Sequence, residues 1–301
     1  MKLRAAVAAF ACALALFVLT IAGSARAAAS PRDAMLVSTA WLAEHASDPG
    51  LVILHVGSPD NYAEHIPGAR LVRLSDISMS GDAGTLEMLS EPALRLQLAG
   101  LGISDHSRIV VYYADVPQAA TRVVFTLDAA GLGAQTTLLD GGLAAWKREG
   151  RPLTAEVPTA HVGTLSPLKM RKDAIVDAKF VQDHVKAPGY SLIDARIPAF
   201  YDGTQTGGSK DNPHKTGHIA GAKNVPITTL TDEKSNIQSA AALQAAFEKA
   251  GVKKGDKLIV YCHIGQQASG ILFAARTLGY DAMLYDGSFE DWSKRDLPVE
   301  K

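Results

Sequence analysis

The chain has almost no cysteine and almost no net charge. Two cysteines, Cys12 and Cys262, stand among 301 residues, and 30 Lys and Arg against 31 Asp and Glu leave a formal charge of −1. That balance gives no reason to expect nucleic acid or an anionic membrane surface as a partner. Hydrophobic residues make up 47% of the chain, enough for one large domain or two ordinary ones. The apolar run Ala5 to Ala22 follows Lys2 and Arg4 and precedes Ala25-Arg26-Ala27, a small-x-small site. This is the pattern of a signal peptide over residues 1–27, removed on export. The expected location is periplasmic in a bacterium and secreted otherwise, with no stable membrane association after removal. An uncleaved anchor helix is the weaker reading, because the run is alanine-rich and a cleavage site follows it. Cys12 leaves with the leader, so the mature chain can form no internal disulfide. Cys262 then stands alone in an oxidising compartment, either deeply buried or kept for chemistry.

The sequence repeats itself. The stretch "RIVVYYADVPQAATRVVFTLDAAGLGAQTTLLDGGLAAWKREGRPL" from Arg108 parallels "KLIVYCHIGQQASGILFAARTLGYDAMLYDGSFEDWSKRDLPV" from Lys257. Each has an apolar β-branched run, a polar loop, an amphipathic helix, a short strand, a D-G turn and a helix with a Trp (Trp146, Trp292). Earlier in each half, His65 and His218 open matching His-Ile-x-Gly-Ala segments. Short apolar strands alternating with helices predict an α/β fold of two similar domains, each a mostly parallel sheet with helices on both faces. The expected boundaries are 34–153 and 168–301, joined by a Pro-, Thr- and Gly-rich linker over 154–167.

The repeat serves as an internal control. Cys262 falls opposite Tyr113, and "CHIGQQAS" opposite "YADVPQAA", so one copy has the thiol and its glycine and the other has neither. The first domain is therefore expected to be non-catalytic. In an open parallel sheet, ligands sit beyond the carboxyl ends of the strands. "LIVY" places Cys262 at such an end, and "ASGILFAARTLGY" opens a helix just after it. Gly265 permits an unusual backbone conformation, which lets the N–H groups of His263 to Ala268 turn inward. With the helix's positive end they would stabilise a thiolate or a larger anion on sulfur. A nucleophilic Cys262 of depressed pKa is expected, with covalent catalysis at sulfur.

These elements resemble a known family. "VYCHIGQQAS", "HIAGAKNVP", "DAR" at Asp194 to Arg196 and "YDGSFEDW" look like the two-domain rhodanese sulfurtransferases, over essentially the whole mature chain. The resemblance implies a tandem rhodanese-like fold in which Cys262 takes a sulfane sulfur from a small anionic donor. Cys262 would then pass it, as a persulfide, to cyanide, a small thiol or a protein thiol. It implies no metal or organic cofactor. The substrate-binding residues it points to are His263, Ile264, Gly265, Gln266, Gln267, Ala268 and Arg196. The alternative is a persulfide carrier or redox-partner module that turns over small donors poorly.

The chain departs from the family where charge matters. Thiosulfate-using members resembling this one carry basic residues just after the cysteine, where His263 and Ile264 stand. Mercaptopyruvate-using members carry Gly and a catalytic Ser there, and an Asp where His55 sits. Both classes have a second Arg at the place of Phe200, and many single-domain relatives an Arg at Gln267. Lys210, His214 and Lys215 could restore charge from the insertion "GTQTGGSKDNPHKTGH". Thiosulfate remains the favoured donor and 3-mercaptopyruvate the second. A phosphatase sharing this fold would need a longer loop closed by an Arg clamp, and no Arg follows Cys262 until Arg276. His214 and His218 have helical metal-pair spacing, but Pro213 and Gly217 break the helix, so no metal site is expected. His65 and His218 are expected to satisfy loop backbone groups, Trp146 and Trp292 to fill the core, and Asp140 and Asp286 to make turns. Arg196, after a buried strand, needs an anionic partner, either the substrate or Asp194.

Overall fold

A computed structural model describes residues 30–80, 85–159, 161–208 and 213–301. The leader over residues 1–27 and Lys210 lie outside these. The first sheet comprises β1 (Leu36–Val37), β2 (Leu51–Val56), β3 (Arg70–Val72), β4 (Arg108–Tyr113) and β5 (Thr136–Leu139). The second comprises β6 (Ile175–Val176), β7 (Tyr190–Asp194), β8 (Lys223–Asn224), β9 (Lys257–Tyr261) and β10 (Ala282–Tyr285). Strand order is β1-β5-β4-β2-β3 in one and β6-β10-β9-β7-β8 in the other, every pair parallel. The copies thus share one topology. Their central strands, β4 and β9, are apolar and buried beyond the first residue, as a sheet covered on both faces requires.

Matching helices follow these central strands: α1 (Pro117–Leu127) after β4 and α3 (Gln266–Thr277) after β9, with α2 (Gly142–Arg148) and α4 (Ser288–Lys294) later in each copy. In α1 every residue from Ala119 to Leu127 is buried, and nearly all of α3 from Ala268 to Thr277 is too. A helix apolar all round must be covered all round. Here α1 and α3 cover each other, touching at the Thr121 and Ser269 hydroxyls, 3.2 Å apart. One apolar core accordingly runs from Leu54 and Val111 of the first sheet to Val260 and Leu284 of the second, with Cys262 in it. The outer faces carry separate clusters around Trp146 and Trp292. The two indoles repeat one device, donating to the carbonyls of Pro152 at 2.8 Å and Pro298 at 3.0 Å.

The segment after the first domain is held along its surface. Gly163 N–H donates to Ala99, Ser166 to Asp105 and Leu168 to Glu91, so it runs as a strap, not a free linker.

Candidate active site

Cys262 follows the carboxyl end of β9 and is 1% exposed. The loop behind it is built by disposing of its carbonyls. The Cys262 and His263 carbonyls accept from the Phe289 and Glu290 amides, both at 3.0 Å, at the start of α4. The Ile264 carbonyl accepts from the amide of Leu86, at 3.3 Å, in the first domain. The Gly265 carbonyl accepts from Ser269 N–H at 3.3 Å and from Arg122 Nη1 at 3.5 Å, the latter again from the first domain. A peptide unit's N–H points opposite to its C=O, so the outward carbonyls of His263 and Ile264 send the next amides in the chain, of Ile264 and Gly265, inward. The amides of Ile264, Gly265, Gln267 and Ala268 act on the Cys262 sulfur and favour its charged form. The amides of His263 and Gln266, expected in the same ring, are not among them.

Burial opposes this effect and outweighs it. Seated in the shared core, the free thiol is pushed above its ordinary value, not below it. The amides offset part of a desolvation cost that the sequence alone did not reveal.

Gly265 turns the loop at φ +90°, the left-handed region that glycine adopts without strain. A Cβ there would stand 2.7 Å from Asp286 Oδ1 and 2.9 Å from Arg122 Nη1. Asp286 and Arg122 make a buried ion pair at 2.6 Å directly behind the loop, and Arg122 Nη2 also donates to the Leu86 carbonyl. Asp286 is therefore an interdomain anchor, not chiefly a turn residue. Its counterpart Asp140 accepts from the Ile237 amide of the second domain at 2.7 Å. Ser288, another residue missed from sequence, accepts from the Cys262 amide at 3.2 Å and sits at φ +52°. Its counterpart Gly142 has φ +53°, and that glycine opposite a serine was the signal that could have found it.

Of the two partners the sequence left open to Arg196, the structure pairs it with Asp194. Its guanidinium grips Asp194 through two nitrogens (2.6 to 3.1 Å), donates to the Gly217 carbonyl and lies 4.0 Å over the Phe289 ring. With Tyr261 also donating to Asp194 at 2.7 Å, Arg196 braces the loops at the strand ends and does not project as a substrate ligand. His263 is held neutral: burial, then the Arg196 charge, lowers its pKa to about 4. Lys215 does not supply a free cation either, since Nζ donates to the Arg295 and Leu297 carbonyls. Phe200 meets the His263 ring edge-on at 4.6 Å. The site is thus flanked by aromatic and neutral groups, and among the described residues no guanidinium replaces the missing one.

His65 and His218 do satisfy backbone: their Nδ1 atoms meet the Tyr62 and Tyr201 carbonyls, and each ring stacks on that tyrosine. In the first copy Tyr113 takes the place of the thiol. Its ring packs against Gly142, and its hydroxyl donates to the Ser235 carbonyl of the second domain. The aromatic side chain fills the space and turns a cradle into an interface contact.

The family description "Rhodanese-like domain" matches residues 38–149 and 177–295. The sulfur carrier protein TtuD of Thermus thermophilus is 31% identical over 279 residues, 89% of this chain and 96% of its own. A putative thiosulfate sulfurtransferase of Synechococcus elongatus is 31% identical over 91% of this chain and 87% of its own. Among solved structures, that of YnjE superposes with a TM-score of 0.80 at 24% identity, over 90% of this chain and 69% of that one.

Proposed function

Since the chain belongs to the rhodanese-like domain family and is a sulfurtransferase, we propose that it works through a persulfide on Cys262 in the second domain. The donor is a small sulfane-sulfur compound, thiosulfate first, and the acceptor a thiol or cyanide. The sulfane sulfur bonds to Cys262 and sulfite leaves; the thiol proton leaves to solvent or to the departing anion. One observation carries this reading. A lone buried sulfur faces the amides of Ile264, Gly265, Gln267 and Ala268, in a loop whose Cys262 to Gly265 carbonyls are committed elsewhere, so charge on a transferred sulfur meets donors already in place. The first copy, with Tyr113 at the equivalent place, acts as a structural partner.

The test is Cys262→Ser, expected to abolish transfer while leaving the thermal transition in place. The wild-type protein should gain the mass of one sulfur after exposure to thiosulfate. Retained thiocyanate formation by the variant would overturn the assignment.

A carrier role is the second reading, favoured by the commitment of Arg196 and Lys215 to other partners and by the relative named as a sulfur carrier. A carrier would release thiocyanate only stoichiometrically with a loaded protein, whereas an enzyme would sustain it.

A further inference from the structure

The insertion over residues 203–217 brings a second histidine to the site. Among its described residues, His214 N–H donates to the Gly207 carbonyl at 2.9 Å, and Gly208 pairs with Pro213. The His214 side chain is 4% exposed, and its Nε2 meets the Glu290 carboxylate of α4. Burial works against the Glu290 charge, but bonds from His214 and Lys294 keep that carboxyl below its ordinary value. A carboxylate can only accept, so Nε2 bears the proton and Nδ1 of the neutral ring is a bare lone pair. That Nδ1 is buried and has no hydrogen-bond partner among the described residues. A buried acceptor left unpaired keeps the cost of its lost water, which asks for a reason.

The atom's surroundings supply one. The His214 ring lies nearly parallel to that of His263, 5.9 Å away, and His263 is the residue after Cys262. Gly207 stands between them: a Cβ there would be 2.8 Å from His214 Nδ1 and 3.2 Å from His263 Nδ1 and Cε1. The remaining walls are Phe200 against His263 and Phe289 against His214. Charged groups around the pair are Glu290 and Lys294 on α4, and Asp194 and Arg196 beyond His263. This corner offers a naked ring nitrogen and two phenyl edges. It suits a neutral group with an acidic hydrogen on an organic body better than a small dianion.

We propose that His214, held by Glu290, is the base that deprotonates an organic thiol as it attacks the sulfur carried on Cys262. The inference rests on the persulfide reading above. The persulfide anion first takes a proton from solvent; His214 Nδ1 then takes the proton of R–SH, and the thiol sulfur bonds to the outer sulfur of Cys262–S–SH. The Cys262 S–S bond breaks and its electron pair stays on Cys262, giving R–S–SH, a thiolate in the amide ring and an imidazolium. The imidazolium then returns its proton to Cys262, restoring the thiol. Acceptors already ionised need no such help, so the site selects by proton as well as by shape.

The test is single-turnover discharge of full-length protein loaded with polysulfide, the extra sulfur on Cys262 confirmed by peptide mass. Two acceptors are compared at neutral pH: mercaptoethanol, almost wholly protonated, and thionitrobenzoate, already a thiolate. His214→Gln should slow discharge to mercaptoethanol by about 100-fold, the lower edge of general-base effects. The slowing with thionitrobenzoate should be much smaller, and raising the pH should restore the mercaptoethanol rate. Glu290→Gln, which keeps the hydrogen bond but not the charge, should show the same selective loss and serves if the first variant does not fold. Equal slowing with both acceptors, or none with either, overturns the role of His214. A wild-type protein that takes no sulfur on Cys262 overturns the persulfide reading instead, a result told apart by mass alone.

Discussion

Arg122 of the first domain donates to Asp286 of the second at 2.6 Å, both side chains almost wholly buried, directly behind the turn made by Gly265. The first copy thereby holds the back of the other's loop. Leu86 of the same copy does so too, through its amide on the Ile264 carbonyl. The expected consequence of Arg122→Ala is a loss of about 3–5 kcal/mol, because Asp286 is left as an uncompensated buried charge. A calorimetric scan should show the lowered transition, and sulfur transfer should fall with it. Unchanged stability would mean that the pair does not tie the domains together.

Gly265→Ala should leave both sheets intact yet damage the site. The left-handed φ and the close approach to Asp286 and Arg122 force the turn to open, at about 1–3 kcal/mol of strain. Displacing the amides by an ångström can cost up to about 100-fold in rate. Thiocyanate kinetics on the folded variant check this; near wild-type turnover would show that the ring does not depend on that turn.

Reactivity of free Cys262 should rise with pH through and beyond about 8.5, the ordinary thiol value. Burial favours the protonated thiol over the thiolate, so the nucleophilic fraction grows only on the alkaline side. Inactivation by iodoacetamide, followed from neutral to alkaline pH, should show a continuing climb. A plateau reached at neutral pH would mean that the amides, not the burial, dominate.

Phe200→Arg should tighten binding of a small anionic donor. It puts a guanidinium beside a mouth where His263 is neutral and Arg196 is spent on Asp194. The KM for thiosulfate should fall, most clearly at low salt, where charge is least screened. An unchanged or higher KM would show that missing charge is not what limits donor capture.

Much of this was legible in the chain itself. The repeat, the parallel sheets, Cys262 at the end of β9 and the turn at Gly265 all rest on local signals: apolar runs, a glycine before a helix, and one half read against the other. The pairings of Arg122 with Asp286 and His214 with Glu290 were not legible, since their partners stand 164 and 76 residues apart. Arg196 was ambiguous for a related reason: a buried guanidinium announces that it needs an anion but not which one.

Sequence alone thus determined the alternation of strands and helices, the duplication and the placement of one thiol at a loop able to turn its amides inward, because each depends on residues close together in the chain. Tertiary structure alone decided the protonation of that thiol, the commitment of Arg196 and Lys215, and the presentation of His214. Solvation and ion pairing depend on what surrounds an atom from every side, and those surroundings exist only once distant segments of the chain have packed together.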